Sequence, residues 1–250
     1  MSKVDILGVH VDVIDKAGLE DAIIKCVQRK RREVFAYINI HGVNIARRNA
    51  AVKEFYNRQA TVYCDGEGVR LGARILGGHL PERTVLTRWI WDLCALFELM
   101  QFRVFLLGGK KETNREAIQS MKERFPKLPI AGAHHGYFAK EGKESDQVVD
   151  AINRTLPHVL FVALGTPEQE LWISRNLDDL MVHAILPGGS MIEYMAGRKS
   201  VAPSWMVRGG LEWLYRLGEE PWRLWRRYLI GNPQFMANVL LQRMRMGKRE

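Results

Sequence analysis

The chain has 250 residues, of which 47% are hydrophobic and 26% are charged, and its formal net charge is +9. This length and composition fit one large α/β domain, with or without a small appendage. We expect an intracellular protein, because the chain lacks a membrane-spanning apolar stretch and the apolar core and cleavage site of a signal peptide. Its three isolated cysteines argue against a structural zinc site. The positive charge favours an anionic partner.

The first half of the chain alternates strand and helix patterns. Residues 4–14 alternate apolar and polar side chains and predict an extended strand or a hairpin, and Asp15 can then cap a helix over 17–30. The patterns that follow predict strands over 33–39 and 61–64 and helices over 43–58, 69–76 and 87–99.

The second half continues the alternation, and its apolar strands repeatedly end in glycine. The predicted strands cover 103–109, 158–165 and 182–189, together with a strand running into a loop over 128–138. The predicted helices cover 111–125, 145–155, 167–177 and 190–197. This pattern indicates a Rossmann-like α/β fold, a parallel sheet with helices on both faces. Ligands bind beyond the carboxyl ends of such strands, that is, in the loops after Asn39, Cys64, Gly108, Gly165 and Gly188.

The sheet pattern stops near Pro203, which divides the chain into an α/β domain over 1–202 and a helical appendage over 203–250. Pro221 and the run Gly231-Asn232-Pro233 are expected to interrupt the appendage helices. From residue 201 onward, nine Lys and Arg residues face four acidic residues, and four of the seven tryptophans lie there. This composition fits either a membrane-interface helix or a basic helix docked on its own domain.

Asp65 stands in the stretch TVYCDGEGVR, where a short strand gives way to a helix. A carboxylate at that point can cap the helix that follows Gly66. It can also serve as a general base at the carboxyl edge of the sheet. The residues alone leave both readings open.

Two other strand ends could bind a ligand. The turn at Gly108 and Gly109 can offer backbone N–H groups to a phosphate, although it matches neither GxxxxGK[ST] nor GxGxxG, and it can equally be an ordinary strand-to-helix turn. The acids in ALGTPEQELWI can simply favour a helix N-terminus, whereas the amide of Gln169 is placed to bond a base or sugar.

Metal ligation is not expected, because His134 and His135 are adjacent on an extended segment without an acid at ligand spacing, and DxD is absent. Arg216, Arg223 and Arg226 would share one face of a continuous helix. They can bind phosphate oxygens or form a solvated basic face.

Taken together, these stretches resemble the WecG/TagA/CpsF family of bacterial glycosyltransferases over nearly the whole chain. The motifs that carry the resemblance are FAYIN (35–39), CDGEGV (64–69), LPER (80–83), FLLGG (105–109), HHGYF (134–138), LGTPEQELWI (164–173), PGGSMIEYMAG (187–197) and AP…GLEWLYRLGEEPWRLWRR (202–227).

The resemblance implies inverting, metal-independent transfer of a sugar from a UDP-sugar, usually a UDP-N-acetylhexosamine, to a polyprenyl-diphosphate-linked saccharide at the membrane. The products of such reactions feed surface polysaccharide or teichoic acid synthesis. It implies no cofactor, no nucleic-acid partner and a peripheral position at the inner face of an anionic membrane. It leaves open the sugar donor, the acceptor, the final polymer and whether the chain forms a homo-oligomer.

The resemblance assigns Asp65 as the general base and the three arginines to the leaving diphosphate. The residues predicted to bind substrate are Tyr37, Asn39, Arg83, Gly108, Gly109, Tyr137, Gln169, Gly188, Gly189, Arg216, Arg223 and Arg226.

Three positions depart from the family pattern. Tyr37 replaces a common threonine, Glu193 a common aspartate, and residues 84–89 a Gly-x-Asp-type loop. All three could touch sugar or acceptor, so they leave the identity of the substrate open.

Two rival functions are a nicotinamide-dependent oxidoreductase that uses the glycine turn and a non-catalytic module that docks on anionic membranes.

Overall fold

The computed structural model describes residues 2–247, which contain a two-stranded sheet and a six-stranded sheet. Strands β1 (Lys3–Ile6) and β2 (Val9–Asp12) pair antiparallel and form the hairpin predicted for the N-terminal segment. Leu7 and Gly8 connect them with φ values of 55° and 83°. This left-handed turn matches the twist of a two-residue hairpin.

The six-stranded sheet is parallel throughout, as the sequence predicts. Its strands are β3 (Glu33–Ile38), β4 (Ala60–Cys64), β5 (Val104–Gly108), β6 (Ile130–His134), β7 (Val159–Ala163) and β8 (Ala184–Pro187). They lie in the order β4-β3-β8-β7-β5-β6.

Helices cover both faces of this sheet, which confirms the predicted fold class. They are α1 (Lys16–Gln28), α2 (Ile40–Ala46), α3 (Ala50–Glu54), α4 (Glu67–Ile75), α5 (Leu86–Leu99), α6 (Lys111–Arg124), α7 (Lys143–Thr155), α8 (Glu168–Asn176) and α9 (Met191–Met195). Alternate strand residues enter two separate cores: Val34 and Ala36 of β3 belong to one, and Phe35 belongs to the other. The alternation follows from the two-residue period of a strand.

The single helix predicted over 43–58 is divided in the structure. Helix α2 ends at Ala46, α3 begins at Ala50, and a π-helical segment, Phe55–Gln59, follows it. The division occurs because Asn49 leaves the helical conformation and its side chain accepts a hydrogen bond from the Val52 N–H. Asparagine favours such a cap over a helix interior.

The segment after Pro203 is helical, as predicted. It contains α10 (Ser204–Arg208), α11 (Glu212–Glu219), α12 (Pro221–Trp225), a π-helical segment (Arg226–Ile230) and α13 (Gly231–Met246). Pro221 begins a new helix, and at Gly231-Asn232-Pro233 the π-helical segment gives way to α13 without a non-helical residue between them. Gly231 stays helical, and Pro233 lies in the first turn of α13, where a missing N–H breaks no intrahelical bond.

Helix α13 packs against the α/β body. Phe235 and Val239 are fully buried and belong to the same core as β3 and β4. The ring of Phe235 lies so close to Gly72 of α4 that a Cβ there would be 2.9 Å from it. The predicted division into 1–202 and 203–250 stays a prediction. The apolar packing of the last helix joins the two parts.

Candidate active site

The carboxyl edge of the sheet opens into a cavity of about 900 Å³. Its floor comes from strand ends and the loops after them, and α11 and α12 form a roof over it. Nine predicted site residues line it: Tyr37, Asn39, Asp65, Gly109, Tyr137, Gly188, Gly189, Arg216 and Arg223. A large polar cleft at this edge has the size and position of a substrate site in an α/β fold.

Asn39 and Asp65 are adjacent because β3 and β4 pair in register. Ile38 lies opposite Cys64, so the next residue of each strand stands at the same level of the sheet edge. Asn39 caps α2, and its side-chain oxygen accepts a hydrogen bond from the Gly42 N–H at 3.2 Å. This leaves the amide nitrogen of Asn39 to donate to the Asp65 carboxylate.

Asp65 does not cap the helix that follows it. The N-cap of α4 is Gly66, and no side chain accepts a hydrogen bond there. Burial, and then the nearby carboxylate of Glu212, raise the pKa of Asp65. Arg216, Arg83 and the hydrogen bond from Asn39 act in the opposite direction but do not outweigh the burial. A carboxyl group held at a raised pKa beside a cleft is a candidate general base.

Arg83 lies on the far side of Asp65, in a smaller cavity of about 100 Å³ that Asp65 also lines. Its guanidinium donates to the Glu212 carboxylate at 3.0 Å and to the Val207 carbonyl at 2.8 Å. Glu212 also accepts a hydrogen bond from Arg216 at 2.7 Å. Two arginines and two acids thus form one compact cluster under α11.

Three arginines line the roof of the large cavity: Arg216, Arg223 and Arg227. His41 lines it as well, and burial followed by the positive charges of Arg227 and Arg223 lowers the pKa of this imidazole to about 4. His41 is therefore neutral at pH 7, and the arginines carry the positive charge on this side. Guanidinium groups grouped in this way suit the oxygens of a diphosphate.

The model of the glycosyl transferase WecG/TagA/CpsF family matches residues 4–249. The chain belongs to this family. It is 33% identical over 177 residues, 70% of this chain, to the N-acetylglucosaminyldiphosphoundecaprenol N-acetyl-beta-D-mannosaminyltransferase of Bacillus subtilis (strain 168), of which this match spans 66%. The protein of that name from Staphylococcus aureus (strain MW2) is 28% identical over 249 residues, which are 99% of this chain and 96% of that protein.

All three departures from the WecG/TagA/CpsF pattern have side chains that line the large cavity. Tyr37 and Glu193 do so, and Leu86 and Thr87 do so from residues 84–89. The phenol of Tyr37 stands against Gly189, where a Cβ would lie 2.8 Å from the phenol oxygen. Glu193 pairs with the Lys199 ammonium at 2.5 Å. These positions therefore shape the space in which a substrate of this family member would lie.

The expected contact of Gln169 with a base or sugar stays a prediction, and the structure places this residue behind the cavity lining. Gln169 is fully buried and does not line the cavity. Its carbonyl accepts the Gly189 N–H at 2.9 Å, and its amide nitrogen lies 3.3 Å from the Tyr37 hydroxyl and 2.9 Å from the Glu170 carboxylate. Because both ends of the amide are occupied, Gln169 holds two lining residues in place from behind.

Two further predicted residues do not line the large cavity. Gly108 packs against β7, since a Cβ there would lie 2.2 Å from the Ala163 carbonyl, so only Gly109 of the glycine turn lines the cleft. Arg226 is exposed, with its guanidinium 5.2 Å from the Trp225 ring. Arg227, the next residue in the same π-helical segment, lines the cavity instead.

Sequence reasoning missed His41, Lys199 and Arg227 as lining residues. Arg227 lies four positions after Arg223, a spacing that places two side chains on the same side of a helix, so this signal was available. Lys199 reaches the cavity between the carboxylates of Glu193 and Glu220, at 2.5 Å and 3.3 Å. No local sequence pattern predicts that Lys199 pairs with these two carboxylates.

Among residues 2–247, no three His, Cys, Asp or Glu side chains converge as a metal site would require. The rings of His134 and His135 lie 4.4 Å apart, and His134 contacts the His135 carbonyl through Nδ1. Within the same residues, no helix has the length and apolar character needed to cross a membrane.

Proposed function

We propose that the chain transfers a sugar, an N-acetylhexosamine, from a UDP-sugar to a hydroxyl of a polyprenyl-diphosphate-linked saccharide. The transfer inverts the anomeric centre, uses no metal and takes place at the cytoplasmic face of the cell membrane. The observation that carries this proposal is a carboxyl group of raised pKa, Asp65, lining a cleft roofed by three arginines. Membership of the family and the names of the relatives support the same reaction class.

The proposed reaction is one displacement. The Asp65 carboxylate accepts the proton of the acceptor hydroxyl while that oxygen forms a bond to the anomeric carbon. The bond from the anomeric carbon to the diphosphate oxygen breaks, and UDP leaves with the electron pair. Attack from the face opposite the leaving group inverts the anomeric centre.

The three roof arginines stabilise the departing diphosphate. Arg216, Arg223 and Arg227 supply positive charge from one side of the cleft. Stabilisation of developing charge by preorganised donors is often the largest contribution to catalysis, and a fixed guanidinium needs no reorganisation at the moment of reaction. This arrangement provides a route to UDP departure that does not depend on a divalent ion.

The test measures UDP release from a panel of UDP-sugars, with a polyprenyl-diphosphate N-acetylglucosamine as acceptor. We expect release from a UDP-N-acetylhexosamine that depends on the acceptor and persists in excess EDTA. Loss of release in EDTA, restored by magnesium or manganese, would contradict metal independence. No release from any UDP-sugar would contradict the proposed donor class.

The exposed face of the C-terminal helices supports docking on an anionic membrane. Trp205, Trp222, Leu229 and Ile230 all carry large exposed apolar side chains, and Arg226 is exposed among them. Tryptophan and arginine together suit the headgroup region of a bilayer. We expect co-sedimentation with anionic liposomes that weakens as salt is raised, because the ionic attraction is screened. Equal binding to neutral liposomes would contradict the electrostatic part of this proposal.

A further inference from the structure

Glu212 joins the C-terminal helices to the α/β body beside Asp65. One carboxylate oxygen lies 3.0 Å from Nη1 of Arg83, and the other lies 2.7 Å from Nη2 of Arg216. The side chains of Glu212 and Arg83 are only 13% and 11% exposed. Shared ion pairs with so little solvent exposure depend strongly on geometry, and removing one partner leaves the others uncompensated.

Arg83 is also tied to the neighbouring helix α10. Nη2 of Arg83 donates to the Val207 carbonyl in α10 at 2.8 Å. Arg83 therefore touches α10 through a backbone group and α11 through Glu212. In the α/β body, its Nε lies 4.0 Å from the carboxylate of Glu67 in α4. Of these contacts, the bond to Glu212 is the one that also reaches Arg216, a residue of the cavity roof.

We propose that Glu212 is a positioning residue of the active site: it joins Arg83 to Arg216, so that docking of α11 fixes both guanidinium groups beside Asp65. This inference rests on the proposed function, because it gives Asp65 the role of base. Glu212 acts through its two arginines and through its charge, and takes no part in bond making.

The charge of Glu212 has a consequence for Asp65. A second negative group nearby favours the protonated form of Asp65, whereas Arg216 and Arg83 favour the ionised form. Neutralising Glu212 removes the repulsion and leaves both arginines uncompensated. Both effects lower the pKa of Asp65. The titratable or charged groups that act on Asp65 or line the small cavity with it are Tyr37, His41, Tyr63, Cys64, Glu67, Arg83, Glu212, Arg216, Arg227 and Tyr228. The large cavity adds Tyr137, Lys140, Glu168, Glu193, Tyr194, Lys199, Glu219, Glu220 and Arg223.

The experiment compares wild type with Glu212→Gln, which keeps the shape of the side chain and removes its charge. The first readout is the pKa of Asp65. It is measured by ¹³C NMR titration of protein labelled at the aspartate carboxyl groups, and Asp65→Asn assigns the signal. We expect a lower pKa of Asp65 in Glu212→Gln. This readout does not require turnover, so an unchanged pKa overturns the inference whatever the fate of the proposed function.

The second readout is the pH profile of kcat/KM for UDP release. The base must be ionised, so activity falls as pH drops through its pKa. In Glu212→Gln we expect the acid limb to move to lower pH and the plateau to fall roughly 10- to 100-fold, the scale of a small misplacement of catalytic groups. Glu141→Gln, which removes an exposed carboxylate paired with Arg175 at 2.7 Å, is the matched control and should leave limb and plateau unchanged.

A conservative variant covers the case in which Glu212→Gln does not fold. Glu212→Asp keeps the charge on a stem too short to reach both arginines. It should keep the acid limb near its wild-type position and still lower the plateau. A plateau equal to that of wild type would overturn the positioning role. If wild type itself releases no UDP while the NMR shift is present, the proposed function fails and the link between Glu212 and Asp65 stands.

Discussion

The floor and the roof of the cavity are held by different forces. Floor residues sit at the ends of buried strands, and bonds between side chains and backbone hold them: the Gly42 N–H donates to Asn39, and the N–H of the lining residue Gly189 donates to Gln169. In the roof, α11 has no buried residue and α12 has only Leu224. Elements with few buried apolar side chains open at lower free energy than core strands do. From this difference we expect a rigid floor and a roof that opens more readily than the floor.

Ion pairs contribute to the attachment of the roof. Glu212 pairs with Arg83 at 3.0 Å, and Glu220 pairs with Lys199 at 3.3 Å. Such ties depend on charge and, where solvent reaches them, weaken with salt. We expect the roof helices to open for substrate entry and to close over the diphosphate, in the manner of other lids that exclude water during reaction.

The largest expected effect comes from the floor. Asp65→Asn should lower UDP release by roughly 100-fold or more, the scale of a lost general base, while the protein stays folded and binds UDP. Turnover on the UDP-sugar panel and UDP binding by calorimetry would check this. Near wild-type turnover would show that Asp65 is not the base. It would also contradict the assignment of bond making to the floor and of diphosphate binding to the roof.

In the roof, two adjacent arginines make a matched pair. Arg227 lines the cavity and Arg226 is exposed, although both lie in the same π-helical segment. Arg227→Gln should lower kcat roughly 10- to 100-fold, because one donor to the leaving diphosphate is lost. Arg226→Gln should leave kcat unchanged. Equal effects of the two changes on kcat would contradict the assignment of Arg227 to the roof.

The ionised carboxylate of Asp65 in the floor should also lower the free energy of unfolding, which melting temperatures can test. The folded-state pKa of Asp65 is raised above its unfolded value near ~3.9, so the ionised carboxylate opposes folding at neutral pH. This destabilisation is present above the raised pKa of the folded state and disappears as pH falls below the pKa of the unfolded state. Asp65→Asn should therefore melt at or above the wild-type temperature at pH 8, by roughly a few °C. The difference should shrink towards pH 4. A lower melting temperature at pH 8 would contradict this account.

The sequence predicts the floor better than the roof, for a physical reason. Ends of parallel strands must meet at one edge, so Asn39 and Asp65 could be placed together from their positions after β3 and β4. The burial of Gln169 could not be predicted, because it depends on Gly189 and Tyr37, which are distant in the chain.

In the roof, Arg226 and Arg227 lie three and four positions after Arg223, so helix spacing fits both, and only the structure shows that Arg227 lines the cavity. Glu212 is missed because its partner Arg83 lies 129 positions away and no local pattern indicates the pair. Side chains whose places are set by distant partners leave no periodic signal.

The smallest expected effect separates the outer face of the roof from its inner face. Trp222 is 91% exposed on α12 and does not line the cavity. Because α13 packs Phe235 and Val239 into the core, deleting the C-terminal segment would disturb the fold, and a point change is the cleaner test. Trp222→Ala should weaken co-sedimentation with anionic liposomes several-fold, since one interfacial ring is lost, while turnover of a short-chain, water-soluble acceptor stays at the wild-type level.

The matched control is Leu99→Ala: Leu99 is 79% exposed, but it ends α5 five residues before β5 starts and so lies at the opposite edge of the sheet. It should change neither quantity. If Trp222→Ala lowers turnover of the soluble acceptor as much as it lowers liposome binding, the two faces of the roof are not separable and the outer face takes part in the chemistry.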